Sequence, residues 1–405
     1  ANELLLPGEV VLGSGESYEA PTVVAVYSGN GIDGASDRLH RMVRARKSHP
    51  TNIRPRPITL NVWEAVYFDH NFEKLAKLAE AASKIGIERF VLDDGWFGAR
   101  RDDRAGLGDW VVSKDVWPEG LGKLVDKVKA EGMEFGLWFE GEMVNADSDL
   151  YRAHPDWILQ SGGRVPPEFR TQLVLDLAHP GAYQHVFDQV NAILSEYDIA
   201  YIKWDHNRVL TEASHLGQAA VRKQVLAIYR MFDELKAAHP GLEIESCASG
   251  GGRIDLGMID HADRFWTSDN NDALERQSIN RYTTIVIPPE LLGTHIGPTK
   301  AHSTARTHAH SFRAITALWG HAGIEWDLTE ASEDELALLK NWADYYKSKR
   351  GLLHSGRTVR GDQSESESQT YGVVAHDGSE AVYMYAALRP SEFSRPANIR
   401  LTGLD

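Results

Sequence analysis

The chain has 405 residues, a net charge of −15, and a balance of 42% apolar and 25% charged residues, which is ordinary for a globular protein. So acidic a chain argues against nucleic acid or an anionic membrane as a partner, and no run reaches the ~18 apolar residues of a membrane helix. The single cysteine, Cys247, leaves no intrachain disulfide to form and fits a reducing, cytoplasmic compartment.

Residues 1–50 contain two strand-like runs, Glu9–Leu12 and Thr22–Tyr27, and then a basic helical segment, Asp37–Lys47. They read as the end of a β-sandwich domain plus a connector, because two strands make no stable sheet alone. A Pro/Arg-rich hinge, Pro50–Pro57, follows, and the pattern then changes to strand–helix alternation. Strands are predicted at Ile58–Trp63, Phe90–Asp94, Glu134–Phe139, Ala200–Asp205, Glu243–Cys247, Arg264–Ser268, Thr284–Ile287 and Gly323–Asp327. Helical periodicity lies between most of them, at Asn71–Ile85, Gly122–Glu131, Gly181–Tyr197, Ala219–Ala238, Ala273–Tyr282, Thr307–Trp319 and Glu333–Lys347. Eight such repeats over residues 51–349 predict a (β/α)8 barrel. A doubly wound sheet would want a Gly-rich phosphate loop after its first strand, and none is there. Residues 350–405 return to a β pattern, with Gln369–Val374 and Ala381–Leu388 as strands and Gly361–Gln369 as a polar loop. This tail reads as a small antiparallel domain.

The unusual residues fall at predicted strand ends. Trp63, Asp93, Asp94, Trp138, Asp205, Cys247 and Asp269 each sit at the last positions of a strand or one beyond, the active face of such barrels. In Tyr201-Ile-Lys-Trp-Asp205, Lys203 and Asp205 share a strand face, and a nearby cation keeps a carboxylate ionised. Asp205 therefore suits a nucleophile, or simply a strand-end salt bridge. Asp269 has no cation within two residues. Trp266 and the barrel mouth would desolvate it and raise its pKa, which suits an acid; a helix N-cap is the bland alternative. Two carboxyls across a barrel mouth are what a retaining glycosidase needs. Asp93 and Asp94, facing the open mouth, suit vicinal sugar hydroxyls, with a metal site or a turn as alternatives. Ser249-Gly-Gly-Gly-Arg253 lacks the Lys-Ser/Thr of a P-loop and reads as a close backbone approach to a ligand. His302, His308 and His310 read as surface or packing histidines. Nothing in the sequence asks for a cofactor or metal.

The motifs Leu-Asp-Asp-Gly-Trp-Phe (92–97), Gly-Leu-Trp-Phe-Glu (136–140) and Arg-Thr-Gln-Leu-Val-Leu-Asp (170–176) run in order with three others. These are Tyr-Ile-Lys-Trp-Asp (201–205), Glu-Ser-Cys-Ala-Ser-Gly-Gly-Gly-Arg (245–253) and Trp-Thr-Ser-Asp-Asn (266–270). On these motifs, from Leu4 to at least Leu353, the chain resembles α-galactosidases of glycoside hydrolase family 36. The resemblance implies a retaining exo-enzyme acting on small oligosaccharides of the melibiose and raffinose type. It implies Asp205 as nucleophile and Asp269 as acid/base. Asp93 and Asp94 would hold the galactose 4- and 6-hydroxyls, Trp63 and Trp138 would wall the pocket, Arg170 and Lys203 would bind hydroxyls on the far side, and Cys247 and Gly250 would sit near the 2-position. Homo-oligomers are implied as well. Two related activities use the same scaffold, α-N-acetylgalactosaminidase and galactosyl transfer of the raffinose-synthase type. Two positions depart from the family pattern: Gly141, where Pro is usual, and His206, where Met is common.

Overall fold

Eight short parallel strands close into a barrel in a computed structural model that describes residues 5–361, 367–391 and 398–404. The barrel strands are β1 (Thr59–Asn61), β2 (Arg89–Leu92), β3 (Glu134–Phe139), β4 (Tyr201–Trp204), β5 (Glu243–Ser246), β6 (Arg264–Trp266), β7 (Leu292–Ile296) and β8 (His321–Ile324). Each pairs with its sequence neighbours, and β1 closes the ring by pairing Thr59 with both Arg89 and Gly323. Apart from Glu134 at the start of β3, every barrel-strand residue is buried, the pattern of a parallel sheet covered on one face and filled on the other.

The outer helices are α2 (Phe72–Ile85), α3 (Gly122–Ala130), α4 (Pro180–Glu196), α5 (Val221–Ala238), α6 (Ala273–Thr283), α7 (His310–Ala317) and α8 (Glu333–Leu353), preceded by a connector helix α1 (Gly31–Arg44). Helix α2 illustrates how sequence sets each one. Asn71 caps it by accepting from the Lys74 amide, Leu75, Leu78, Ala79, Ala82 and Ile85 form its buried stripe, and Gly86 ends it at φ 88°. That spacing places the apolar face on the barrel, and only a left-handed residue closes the last turn without strain.

A three-stranded antiparallel sheet, β9 (Arg357–Arg360), β10 (Ser368–Val374) and β11 (Ala381–Ala387), follows the barrel. Helix α1 ties it down. Asp33 pairs with Arg360 at 2.6 Å, and Arg44 bridges Glu290 at 2.7 Å and the carbonyls of Ser355 and Gly356 at 3.0 Å.

The sequence expectations need three corrections. The seventh strand is not Thr284–Ile287 but Leu292–Ile296. Thr284 is the C-cap residue of α6, its hydroxyl donating to the Asn280 carbonyl at 2.7 Å. The β-branched run therefore serves a helix end, against its propensity. The runs Glu9–Leu12 and Thr22–Tyr27 form no strand. They find no ladder partner among the described residues, and Val11, Val23 and Tyr27 are exposed. The connector helix starts earlier than Asp37, at Gly31. Of the predicted loop Gly361–Gln369, residues 362–366 lie outside the described residues.

Candidate active site

The strand C-termini open onto a pocket of about 200 Å³, below the ~300–1,000 Å³ of pockets for drug-sized ligands. Its wall contains Trp63, Asp93, Asp94, Trp138, Arg170, Lys203, Asp205 and Asp269. Eight of the ten residues singled out from the sequence thus converge on one cavity.

Asp205 follows β4 directly. The Trp138 indole nitrogen donates to its Oδ2 at 3.3 Å and the His206 amide to its Oδ1 at 2.8 Å. Burial opposes its charge. Lys203, the Cys247 thiol, Asn207 and the His206 amide together outweigh it, so the carboxyl is held below its usual value. The sequence placed Lys203 and Asp205 on one strand face. The lysine makes its contact elsewhere, donating to Asp93 Oδ2 at 2.9 Å. It acts on Asp205 through space while bonded to the end of β2, two strands away around the barrel.

Asp269 lies beyond β6 on the same rim. It is open to solvent, and the Trp266 indole nitrogen donates to its Oδ1 at 3.0 Å. The protein around it and then the Asp205 charge push its pKa up. The two carboxyls are therefore driven in opposite directions, Asp205 toward the charged form and Asp269 toward the acid. Neither caps a helix. The cap of α6 is Asp272, which accepts from the Leu274 and Glu275 amides.

Asp93 and Asp94 line the pocket, yet both are buried. Asp93 Oδ2 accepts from Lys203 and, at 2.6 Å, from Asn61, while its Oδ1 takes the Asp94 amide at 2.9 Å. Asp94 is gripped by the Arg100 guanidinium at 2.7 and 3.0 Å. Burial, with the Asp93 and Asp205 charges adding, raises the Asp94 pKa against the pull of Arg100.

Trp63 begins a single helical turn after β1 and meets Tyr67 and Phe68 edge-on, with ring centroids 5.2 Å apart in each pair. Trp138 is buried among Phe97 and Trp110, and its carbonyl accepts from Trp96 Nε1 at 2.9 Å. Arg170 is exposed at the rim with φ 52°.

Cys247 and Gly250 are not among the lining residues. Cys247 is buried behind Asp205, where burial and the Asp205 charge push its thiol well up and leave it a hydrogen-bond donor. Gly250 has φ 84°, and a Cβ there would meet the Ser268 Cα at 2.7 Å and the Asp269 nitrogen at 3.0 Å. The glycine run brings the β5 loop against the backbone that carries Asp269. At Gly141 any Cβ would collide with the Trp204 indole. His206 stands outside the pocket near the Glu142–Arg253 ion pair, and burial lowers its pKa.

Sequence reasoning missed Glu64, Arg100, Asn207, Asn271 and Glu325, all in the pocket wall, and Glu140 behind it. Glu140 and Glu325 immediately follow β3 and β8. The strand-end rule that found Asp205 would have found both. Glu140 is buried, accepts from the Asn207 amide at 2.5 Å, and is pushed up to about 8 by burial and then by Asp205. Arg100 sits in a loop of mixed charges, and only its grip on Asp94 distinguishes it. Among the described residues, no group of three or more His, Cys, Asp or Glu could hold a metal ion, and no helix is long and apolar enough to cross a membrane.

Comparison with known proteins gives concordant matches. The melibiase family model matches residues 17–356. An α-galactosidase of Escherichia coli is 43% identical over 404 residues, covering 100% of this chain and 57% of its own. The crystal structure of the GH36 α-galactosidase AgaA from Geobacillus stearothermophilus is 38% identical and superposes with a TM-score of 0.88, covering 93% of this chain and 53% of that one. A variant of AgaA in complex with stachyose superposes with a TM-score of 0.93 at 39% identity, covering 97% of this chain and 56% of that one. The chain thus spans just over half the length of the relatives it matches.

Proposed function

Because the chain belongs to the melibiase family, we propose that it is the catalytic part of a retaining exo-α-galactosidase. The observation that carries this reading is the pair Asp205 and Asp269 on one pocket, with protonation tendencies driven apart. In the first step the ionised Asp205 attacks the anomeric carbon while Asp269 protonates the departing oxygen. In the second, Asp269 takes a proton from water, which attacks the same carbon and releases galactose with retained configuration. Lys203, fixed on Asp93, keeps the attacking carboxylate charged without bonding to it.

Specificity follows from Asp93 and Asp94. Galactose and glucose differ in the direction of the 4-hydroxyl. A buried, pre-set acceptor pair loses its partner when that hydroxyl points elsewhere, at a cost of up to about 10⁴ in kcat/KM. The small pocket fits a terminal ring, with the remainder of an oligosaccharide passing Arg170 at the rim. The raffinose and stachyose complexes of AgaA variants support oligosaccharides of that kind as substrates.

The test is a panel of p-nitrophenyl glycosides: α-galactoside, α-N-acetylgalactosaminide, β-galactoside and α-glucoside. The α-galactoside should exceed each of the others in kcat/KM, and the α-glucoside should lag by about 10⁴. A preference for any other member of the panel rejects the assignment.

A further inference from the structure

Two acids in the pocket wall have no part in the double displacement. Glu64 lies on the helical turn after β1, and Glu325 directly follows β8. One side chain joins them. Asn271, two residues beyond Asp269, has two amide hydrogens; its Nδ2 lies 2.9 Å from Glu64 Oε1 and 3.0 Å from Glu325 Oε2. The Asn271 oxygen accepts from Arg276 at 3.1 Å, which fixes the amide orientation.

The rest of the chain of bonds fixes where a proton can be. Arg264 Nη2 is 2.9 Å from His295 Nε2, and His295 Nδ1 is 2.9 Å from Glu325 Oε2. Arginine has only donors, so His295 accepts at Nε2 and carries its hydrogen at Nδ1, directed at Glu325. Burial and neighbouring cations hold His295 neutral. Glu325 Oε2 therefore already receives two hydrogen bonds. Glu64 Oε2, by contrast, is buried and makes no hydrogen bond. A charged oxygen in that position would be unpaired; a protonated one is not a buried charge.

We propose that Glu64 and Glu325, joined through Asn271, act as one unit with a single shared proton and a single negative charge, and that this charge positions the protonation equilibrium of Asp269. The inference rests on the glycosidase reading above. Burial and then Glu325 push Glu64 up to about 8, and Glu325 is itself raised. The charged and titratable groups facing Asp269 are Asp205 and Lys203 from β4, Glu325 from β8, Glu64 from the turn after β1, Arg276 from α6 and Cys247 from β5. Of the acids among them, Asp205 loses its charge when it forms the glycosyl ester. The Glu64–Glu325 charge persists. It keeps Asp269 basic enough to take a proton from water in the second step, when the help of Asp205 is gone.

The experiment uses Glu64→Gln, Glu325→Gln and the double variant, with wild type as reference. The alkaline limb of kcat/KM against pH for p-nitrophenyl α-galactoside reports the free-enzyme acid. Each single variant leaves one carboxylate, which ionises fully, so the limb should stay within a few tenths of a pH unit. The double variant removes the charge and should move the limb to lower pH by about one unit. Two additive single shifts, or an unmoved limb in the double, overturn the proposal. A second readout needs no turnover and only isosteric single variants. Infrared difference spectra at pH 6.5 should show the same one protonated-carboxyl band lost from each single variant. Retention of the band in either single variant also overturns it. An inactive wild type would reject the enzymatic reading, and the infrared result would still report on the pair.

Discussion

The two ends of the barrel use the same residue types to opposite effect. At the N-terminal end, acids and arginines match. Glu243 opens β5 and receives Arg54 at 2.8 Å, Arg56 at 3.1 Å and Arg89 at 3.0 Å, while Arg89 also holds Glu134 at 2.9 Å. Burial opposes the Glu243 charge, but the three guanidiniums outweigh it and hold the carboxyl far below its usual range. At the C-terminal end, acids outnumber cations. Lys203, Arg100 and Arg170 at the rim share the pocket wall with Asp93, Asp94, Asp103, Asp205, Asp269, Glu64 and Glu325. Asp94, Asp269, Glu64, Glu140 and Glu325 are all pushed up there, with burial as the first cause of each, while Asp205 is held down. A network of paired ions stabilises the fold and has no proton to give. An acid-rich mouth is costly to ionise, and that cost is what poises its groups for proton transfer.

The sharpest break between the two ends should come from Asp205 and Asp269, the pair proposed to carry the reaction. Asp205→Ala should lower kcat by at least about 10⁴, as loss of a covalent nucleophile does, and should leave the fold intact, since it removes one carboxylate from a repulsive set. Azide should restore turnover with inverted product. Asp269→Ala should lose about 10²–10⁴ on substrates with poor leaving groups and far less on p-nitrophenyl α-galactoside, with azide giving retained product. Kinetics with both substrates, and the configuration of the azide products, check this; exchanged outcomes would exchange the roles.

The opposite end should answer in stability instead. Glu243→Gln leaves Arg56 buried without its carboxylate and Arg89 with Glu134 alone, and breaking such a set costs about 3–5 kcal/mol. Because the folded pKa of Glu243 is depressed, its contribution is full above the unfolded value of ~4.3 and is lost as pH falls through the folded value. Thermal melts should therefore separate wild type from the variant at pH 7, with the gap closing in strong acid. The specific activity of the folded variant at low temperature should match wild type. A large loss of kcat with an unchanged melt would break the division of labour between the two ends.

How far the sequence reveals this arrangement depends on whether local pattern decides. Strand β3 is legible to the residue, and α2 to its cap, because alternation, a capping Asn and a closing Gly all act locally. Strand β7 was displaced because Leu-Gly-Thr-His-Ile has weak strand propensity. It is a strand because it fills the gap between β6 and β8, a constraint from closure of the ring. The acids at strand ends were legible by position. Their partners were not, since Arg100 on Asp94 and Asn271 between Glu64 and Glu325 depend on how loops fold over the mouth. The sequence also supplied a cation for Asp205 from its own strand, whereas the structure bonds that lysine to Asp93.

The smallest effect sharpens the comparison from within the mouth. Glu140 is raised to about 8, so its folded form binds a proton more tightly than the unfolded chain does. Stability is then fully present below ~4.3 and declines as pH rises toward about 8. Glu140→Gln removes that titration. Its melting temperature relative to wild type should rise from pH 5 to about pH 8 and then level off, in contrast to Glu243→Gln. A difference that is flat with pH would mean that Glu140 is already ionised beside Asp205.

The central claim is that Asp205 forms a galactosyl ester which water then opens on the same face. Proton NMR of the first galactose released from p-nitrophenyl α-galactoside reads this directly, before mutarotation mixes the anomers. The account predicts the α anomer first, with β appearing only later. The β anomer as first product would contradict it.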